Sequence, residues 1–172
     1  MKTVWLLRHA KSSWDQPRLA DHDRPLGERG LRDAPRMGRY LASQQTAPEW
    51  VLCSSALRTR QTWELVAEQW PAAPACEHDR ALYMADEADL LARVRRLPEN
   101  FNCVLLIGHN PGLEDLADTL VGRGAAEDLA RMRKKFPTAA LAEIAFDAEQ
   151  WRSLGPGQGE LCRFVRPKSL PE

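Results

Sequence analysis

Residues 103–112 read Cys103-Val104-Leu105-Leu106-Ile107-Gly108-His109-Asn110-Pro111-Gly112. An apolar run without a polar break stops abruptly at Gly-His-Asn-Pro-Gly. A half-exposed strand would alternate, and an amphipathic helix would show polar residues every third or fourth position. A short unbroken run closed by turn residues is the pattern of a strand buried on both faces, as in a parallel sheet sandwiched between helices. The same pattern occurs at Val4-Trp5-Leu6-Leu7, which runs into Arg8-His9, and at Trp50-Val51-Leu52-Cys53, which runs into Ser54-Ser55. Between these runs the apolar spacing changes. Leu31, Ala34, Met37, Gly38 and Leu41 predict a helix over 28–45. Leu57, Leu65 and Val66 predict another over 56–70, stopped by Pro71.

Further along, the pattern predicts a weak strand near 76–78, a helix over 86–97 and a helix over 113–121 broken by Gly122 and Gly124. A helix follows over 125–135, ended before Pro137. Strands over 140–146 and 160–165 then pair as a hairpin across the turn at Gly155-Pro156-Gly157-Gln158-Gly159. Strands alternating with helices predict an α/β protein: a three-layer α/β/α sandwich with a mostly parallel central sheet. At 172 residues a single domain covering 1–172 is expected.

Composition excludes several classes. Lys plus Arg and Asp plus Glu each number 24, so the chain lacks the basic excess of a nucleic-acid binder. A 44% apolar content with no net charge argues against disorder. No apolar run approaches the roughly 18–20 residues of a membrane span, and four apolar residues after Thr3 are too few for a signal peptide. A cytoplasmic protein is expected, with no membrane and no nucleic-acid partner. Cys53, Cys76, Cys103 and Cys162 are far apart in sequence and read as reduced and structural. His22 and His78 lack metal-ligand spacing, so no metal site is predicted.

In open parallel sheets, ligands bind beyond the carboxyl ends of the strands. Here those ends carry Arg8-His9, Ser54-Ser55 followed by Arg58, and Gly108-His109. Two imidazoles and two guanidiniums would converge on one edge. Arginine presents a planar fork suited to phosphate oxygens. A neutral imidazole can attack phosphorus, and a second can stabilise developing charge. The chemistry that fits is phosphoryl transfer through a covalent phosphohistidine, without a metal. Ser12 and Asn110 are further candidates that either contact phosphate or simply cap their loops. The basic cluster Arg131, Arg133, Lys134 and Lys135 reads either as a solvated face or as a site for an acidic partner.

The stretch Leu6-Leu7-Arg8-His9-Ala10-Lys11-Ser12-Ser13-Trp14 resembles the Arg-His-Gly/Ala signature of the histidine phosphatase superfamily. Ser54-Ser55-Ala56-Leu57-Arg58-Thr59-Arg60-Gln61-Thr62 is similar to its second element, S-x-x-x-R-x-x-Q-T. Ile107-Gly108-His109-Asn110-Pro111-Gly112 is similar to its third. Asp21-x-x-Arg24-Pro25-Leu26-x-x-x-Gly30 and the overall brevity most resemble the SixA-type phosphohistidine phosphatases. The resemblance implies a phosphoglycerate mutase-like sandwich with His9 as the phosphorylated nucleophile. It implies that Arg8, Arg58 and His109 hold the phosphoryl oxygens, with no cofactor. Many superfamily members place a glutamate general acid after the third strand. Arg80-Ala81-Leu82-Tyr83-Met84 has no carboxylate there. Asp21 is the candidate acid instead, or it orders its loop by pairing with Arg24.

A missing acid and a short chain favour a phosphohistidine on a signalling or phosphotransfer protein as substrate. A phosphatase for small phosphoesters is the alternative, and a catalytically weak phosphoprotein-binding module is the alternative of another class. The partner is then a phosphorylated protein or a small phosphoester, met by a monomer or weak dimer.

Overall fold

The apolar run near the start of the chain forms strand β1 (Lys2–Arg8) in the middle of a seven-stranded sheet, in a computed structural model that describes residues 1–172. The other strands are β2 (Trp50–Ser54), β3 (Cys76–Asp79), β4 (Cys103–Gly108), β5 (Val121–Gly124), β6 (Leu141–Phe146) and β7 (Gly159–Val165). They lie in the order β3-β2-β4-β1-β6-β7-β5. Four of the pairings are parallel, and only β6 runs against its neighbours, β1 and β7. Five helices cover the sheet: α1 (Glu28–Ala42), α2 (Leu57–Ala67), α3 (Glu87–Arg95), α4 (Gly112–Leu120) and α5 (Ala126–Lys134).

The unbroken apolar runs have a simple cause. Successive side chains on a strand point to opposite faces. Val4 and Leu6 join Leu52, Val104 and Leu106 in a core shared with Leu90, Val94, Leu113 and Leu116 of α3 and α4. Trp5 and Leu7 join Val51, Cys53, Leu105 and Ile107 in a second core, against Met37 and Leu41 of α1 and Trp63 and Val66 of α2. Both faces are dry, and each such side chain contributes about 1.5–3 kcal/mol by burial. Asp86 caps α3, its side chain accepting from the Asp89 N–H at 2.9 Å.

Several predicted boundaries move. The first helix ends at Ala42 rather than 45, because Ser43 and Gln44 turn back to bond the Tyr40 carbonyl. The second ends at Ala67 rather than 70. Gly122 and Gly124, read as a helix break, belong to β5, a short strand paired in parallel with β7. A Cβ at Gly122 would stand 1.9 Å from the Gly157 carbonyl oxygen, so glycine here permits a close backbone approach and not merely a stop. Strands β6 and β7 pair antiparallel as predicted, but their connection carries a 3-10 turn, Trp151–Ser153, whose indole is fully buried in the larger core.

Register settles what matters for function. Arg8 pairs with Gly108 and Cys53 with Ile107. The three parallel strands therefore end together, placing His9, Ser54 and His109 at one edge of the sheet.

Candidate active site

Arg8, His9, Arg58 and His109 line one cavity of about 270 Å³, together with Ser12, Asp21 and Asn110. His9, Arg58 and His109 are buried, and the two imidazole centroids stand 5.3 Å apart. Arg8, Lys11, Arg24 and Arg58 face a single carboxylate, Asp21, so the cavity is strongly cationic.

The protons on the two imidazoles can be placed. His9 Nδ1 lies 2.7 Å from the Ala10 carbonyl oxygen. A carbonyl only accepts, so Nδ1 carries the hydrogen. Burial, helped by the charges of Arg58, Arg8 and Arg24 and opposed by the bond to Ala10, holds the His9 pKa at about 3. The ring is neutral, and Nε2 keeps its lone pair. His109 Nε2 lies 2.7 Å from Ser54 Oγ, which itself accepts from the Ala56 N–H at 3.4 Å. The Ser54 proton has no acceptor other than His109 Nε2, so the His109 hydrogen sits on Nδ1. Burial, with His9 and Arg58 beside it, lowers His109 to about 3 as well. Its Nδ1 is buried without a partner in the protein, as are Arg8 Nε and Arg58 Nε. Native proteins seldom bury polar nitrogens unpaired. Three such donors around one cationic cavity make a cradle for an oxyanion.

Asp21 comes to the site in a definite state. The Arg58 Nη atoms donate to its carbonyl at 2.7 Å and its carboxylate at 3.0 Å, Arg24 pairs with it at 3.0 Å, and the Tyr83 hydroxyl donates to Oδ2. Burial pushes this carboxyl up, but the Tyr83 hydrogen bond and the two guanidiniums outweigh it and hold Asp21 well below the usual carboxylate range. It is an ionised acceptor with no proton of its own. Its pairing with Arg24 orders the 3-10 turn Asp21–Asp23. Tyr83 occupies the stretch where the sequence lacks an acid, and its ring also packs edge-on against His109.

Ser12 lines the cavity with its Oγ accepting from Arg24 at 3.0 Å, which leaves its own proton free to donate. Asn110 is there too, but its amide nitrogen donates to the Phe136 carbonyl at 2.8 Å. Its partnerless atom is an acceptor, Oδ1, the wrong polarity for a phosphate oxygen. Asn110 thus helps hold the carbonyl that also receives Arg8 Nη1 at 3.1 Å.

The second motif acts on the first loop. Thr62 Oγ1 accepts from the Ala10 N–H at 3.0 Å and donates to the Arg58 carbonyl. Gln61 Oε1 accepts from the Leu26 N–H at 2.8 Å. One helix thus carries Arg58 and pins the segment that carries His9. The Ala139 N–H, on a residue with φ of 59°, bonds the carbonyls of both Arg8 and His9.

Sequence reading placed Ser54 at the strand edge without its bond to His109 and paired Arg24 with Asp21, as observed, but gave Tyr83, Gln61 and Thr62 no role at the site. The motif positions flagged Gln61 and Thr62 by type, but their partners lie 35 and 52 residues away. The basic cluster divides: Arg131 pairs with Glu127 and Asp128, and Arg133 with Asp118. Outside the site, adjacent strands bring Cys53, Cys76 and His78 together, with their ligand atoms within 4.8 Å of one another, a grouping that sequence spacing did not reveal. No helix is long and apolar enough to cross a membrane.

Comparison with known proteins agrees with this geometry. The family model of the histidine phosphatase superfamily (branch 1) matches residues 4–83. An uncharacterised protein of Mycobacterium tuberculosis is 35% identical over 164 residues, spanning 94% of this chain and all of that one. A structure from Nakamurella multipartitia described as a putative phosphohistidine phosphatase SixA superposes with a TM-score of 0.83 at 27% identity, covering 96% of each chain. The protein histidine phosphatase SixA complexed with tungstate gives 0.77 at 27%, covering 97% of this chain and 98% of that one. Taken with the two buried imidazoles and two arginines at the shared strand edge, these likenesses establish that the chain belongs to the histidine phosphatase superfamily, in its SixA-type branch.

Proposed function

We propose that this histidine phosphatase hydrolyses phosphohistidine on a signalling or phosphotransfer protein, through a phosphohistidine formed on its own His9 and without a metal. The observation that carries the reading is the state of His9: Nδ1–H locked on Ala10, Nε2 bare, beside buried donors of Arg8, Arg58 and His109 that lack protein partners. A relative solved with tungstate, an oxyanion, supports a tetrahedral anion in such a site.

His9 Nε2 attacks phosphorus with its lone pair. The P–N bond to the substrate imidazole breaks, and its electron pair returns to that ring. A proton from water on the ring's other nitrogen lets it leave as neutral imidazole. Water then attacks the phosphoryl group on Nε2, its proton passes to solvent, and orthophosphate departs. Because Nδ1 keeps its hydrogen, His9 is released as neutral imidazole and not as the anion. Arg8, Arg58 and His109 Nδ1–H stay fixed around the phosphoryl oxygens, and catalysis is positioning plus charge stabilisation. An alkoxide leaving group would need an acid, and the cavity's one carboxylate is ionised. That asymmetry favours the weak P–N bond over a sugar phosphate.

The test is direct. A radiolabelled phosphohistidine peptide should leave acid-labile label on His9, and His9→Asn should leave none. kcat/KM on the peptide should exceed that on sugar phosphates by about tenfold or more, with chelator present or absent. Equal turnover of sugar phosphates would overturn the substrate assignment. An unlabelled but active enzyme would overturn the intermediate.

A further inference from the structure

A second and larger concavity, about 490 Å³, borders the catalytic cavity and shares Thr138 with it. Arg29 reaches across the boundary, its Nη2 donating to Thr138 Oγ1 at 3.2 Å, and its charge is felt at Arg8. Six cations line this groove: Arg29, Arg32 and Arg36 from α1, Lys135 from the loop after α5, and Arg166 and Lys168 at the 3-10 turn Pro167–Ser169. Only two acids accompany them. Asp33 lies at 3.9 and 3.7 Å from Arg29 and Arg36, and Glu172 at 3.9 Å from Arg36. Arg32, Lys135, Arg166 and Lys168 make no ion pair. In a chain with equal numbers of acidic and basic residues, this is a concentration of charge drawn from three separate segments.

We propose that the groove receives an acidic segment of the phosphohistidine-bearing partner, laid along α1 while the phosphohistidine enters the catalytic cavity. The proposal rests on the phosphohistidine-protein reading above and deepens it.

The spacing suits a protein rather than a second phosphate on a small molecule. Arg29, Arg32 and Arg36 form one stripe leading away from the site, about 10 Å long at 1.5 Å per residue. Carboxylates three or four residues apart on a helix stand about 5–6 Å apart, the pitch of that stripe. A small phosphoester would need its second anion within a few ångströms, gripped by convergent donors. Here the cations are spread along an open wall, and Arg29, Arg32, Lys135 and Lys168 are exposed. Such charges steer and select a macromolecular face.

Two synthetic phosphohistidine peptides test this, identical except for glutamates or serines at the positions three to seven residues from the phosphohistidine. The variant is Arg32→Glu with Lys168→Glu, both outside the catalytic cavity. The wild type should prefer the glutamate peptide by about tenfold in kcat/KM, with the preference lost as salt rises. The double variant should lose that preference while keeping the wild-type rate on the serine peptide. Equal wild-type rates on both peptides, or a preference that survives the double substitution, would overturn the groove's role and leave the phosphohistidine reading standing. Turnover of neither peptide by a wild type that still hydrolyses p-nitrophenyl phosphate would overturn that reading itself, and the groove's assigned occupant with it.

Discussion

An imidazole buried among guanidinium groups has little room for a proton, and that fact reaches beyond catalysis. His9 and His109 both sit at about 3, burial being the largest cause, against 6.5 for an unperturbed histidine. Between those values the unfolded chain binds protons that the folded chain refuses, so acidification favours unfolding. The stability is complete above about pH 6.5 and is lost as pH falls toward 3. Asp21 acts in a different window: its lowered carboxyl supports the fold above its unfolded value and loses that support only under more acidic conditions. Urea unfolding compared at about pH 7 and pH 5 therefore isolates the histidines. Each should cost about 2 kcal/mol over that interval, and His9→Asn or His109→Asn should each remove about that much of the pH dependence. A pH dependence left unchanged by both substitutions would mean that the rings are not held neutral.

At the scale of the element, what was legible in the sequence follows from burial. Strands β1, β2 and β4 are dry on both faces, so they read as apolar runs, and the residues at their ends announce themselves as Arg8-His9 and Gly108-His109. Arg58 was visible because α2 begins one residue before it. Ser54 was quoted within a motif, but its bond to His109 joins residues 55 apart, and no local pattern encodes that. Tyr83 was invisible for the same reason, its hydroxyl meeting Asp21 across 62 residues. Strand β5 was hidden by its glycines: Gly122 lies close to Gly157 and Gly124 close to Leu161, and neither carries an apolar signal. Another close approach governs the site. A Cβ on Gly30, in the first turn of α1, would stand 2.2 Å from the Lys11 carbonyl oxygen, the same oxygen that accepts from the Gly27 N–H. That carbonyl lies two residues beyond His9. Gly30→Ala should therefore cost about 1–3 kcal/mol in overpacking and also lower kcat, because α1 and the His9 segment must separate. Gly155→Ala meets only the flexible Gln158 side chain, nearest at 3.4 Å, and should leave both quantities unchanged. Thermal melts and steady-state rates on the two variants check the contrast.

Across the whole molecule, the sheet separates stability from chemistry along its strands. Lys2 opens β1 and Arg8 closes it, roughly 20 Å apart at about 3.3 Å per residue. At the Lys2 end nothing faces substrate. Its ammonium is buried and donates to the carbonyls of Glu99 and Phe101 at 2.8 Å and to Asn102 Oδ1 at 3.1 Å, with the Glu99 carboxylate at 3.3 Å. The Trp151 indole N–H donates to that same Phe101 carbonyl, so one charge gathers the loop before β4 and the β6–β7 connection beneath β1. Lys2→Met keeps the aliphatic stem and removes every bond the ammonium makes, leaving the Trp151 indole on the Phe101 carbonyl. It should cost about 2–4 kcal/mol of stability, because the acceptors lose a charged donor in a dry place. The folded fraction should keep its kcat, since the strand register that aligns His9 with His109 is set by β1 against β4 and not by Lys2. Arg58→Ala should do the reverse. It removes a donor from the oxyanion cradle, worth about 3–4 kcal/mol in the transition state, while unfolding shifts far less. Denaturant midpoints and kcat measured together on both variants decide the matter. If Lys2→Met slowed turnover as much as it weakened the fold, the two ends of the sheet would be coupled, and strand register alone would not explain how the site is held.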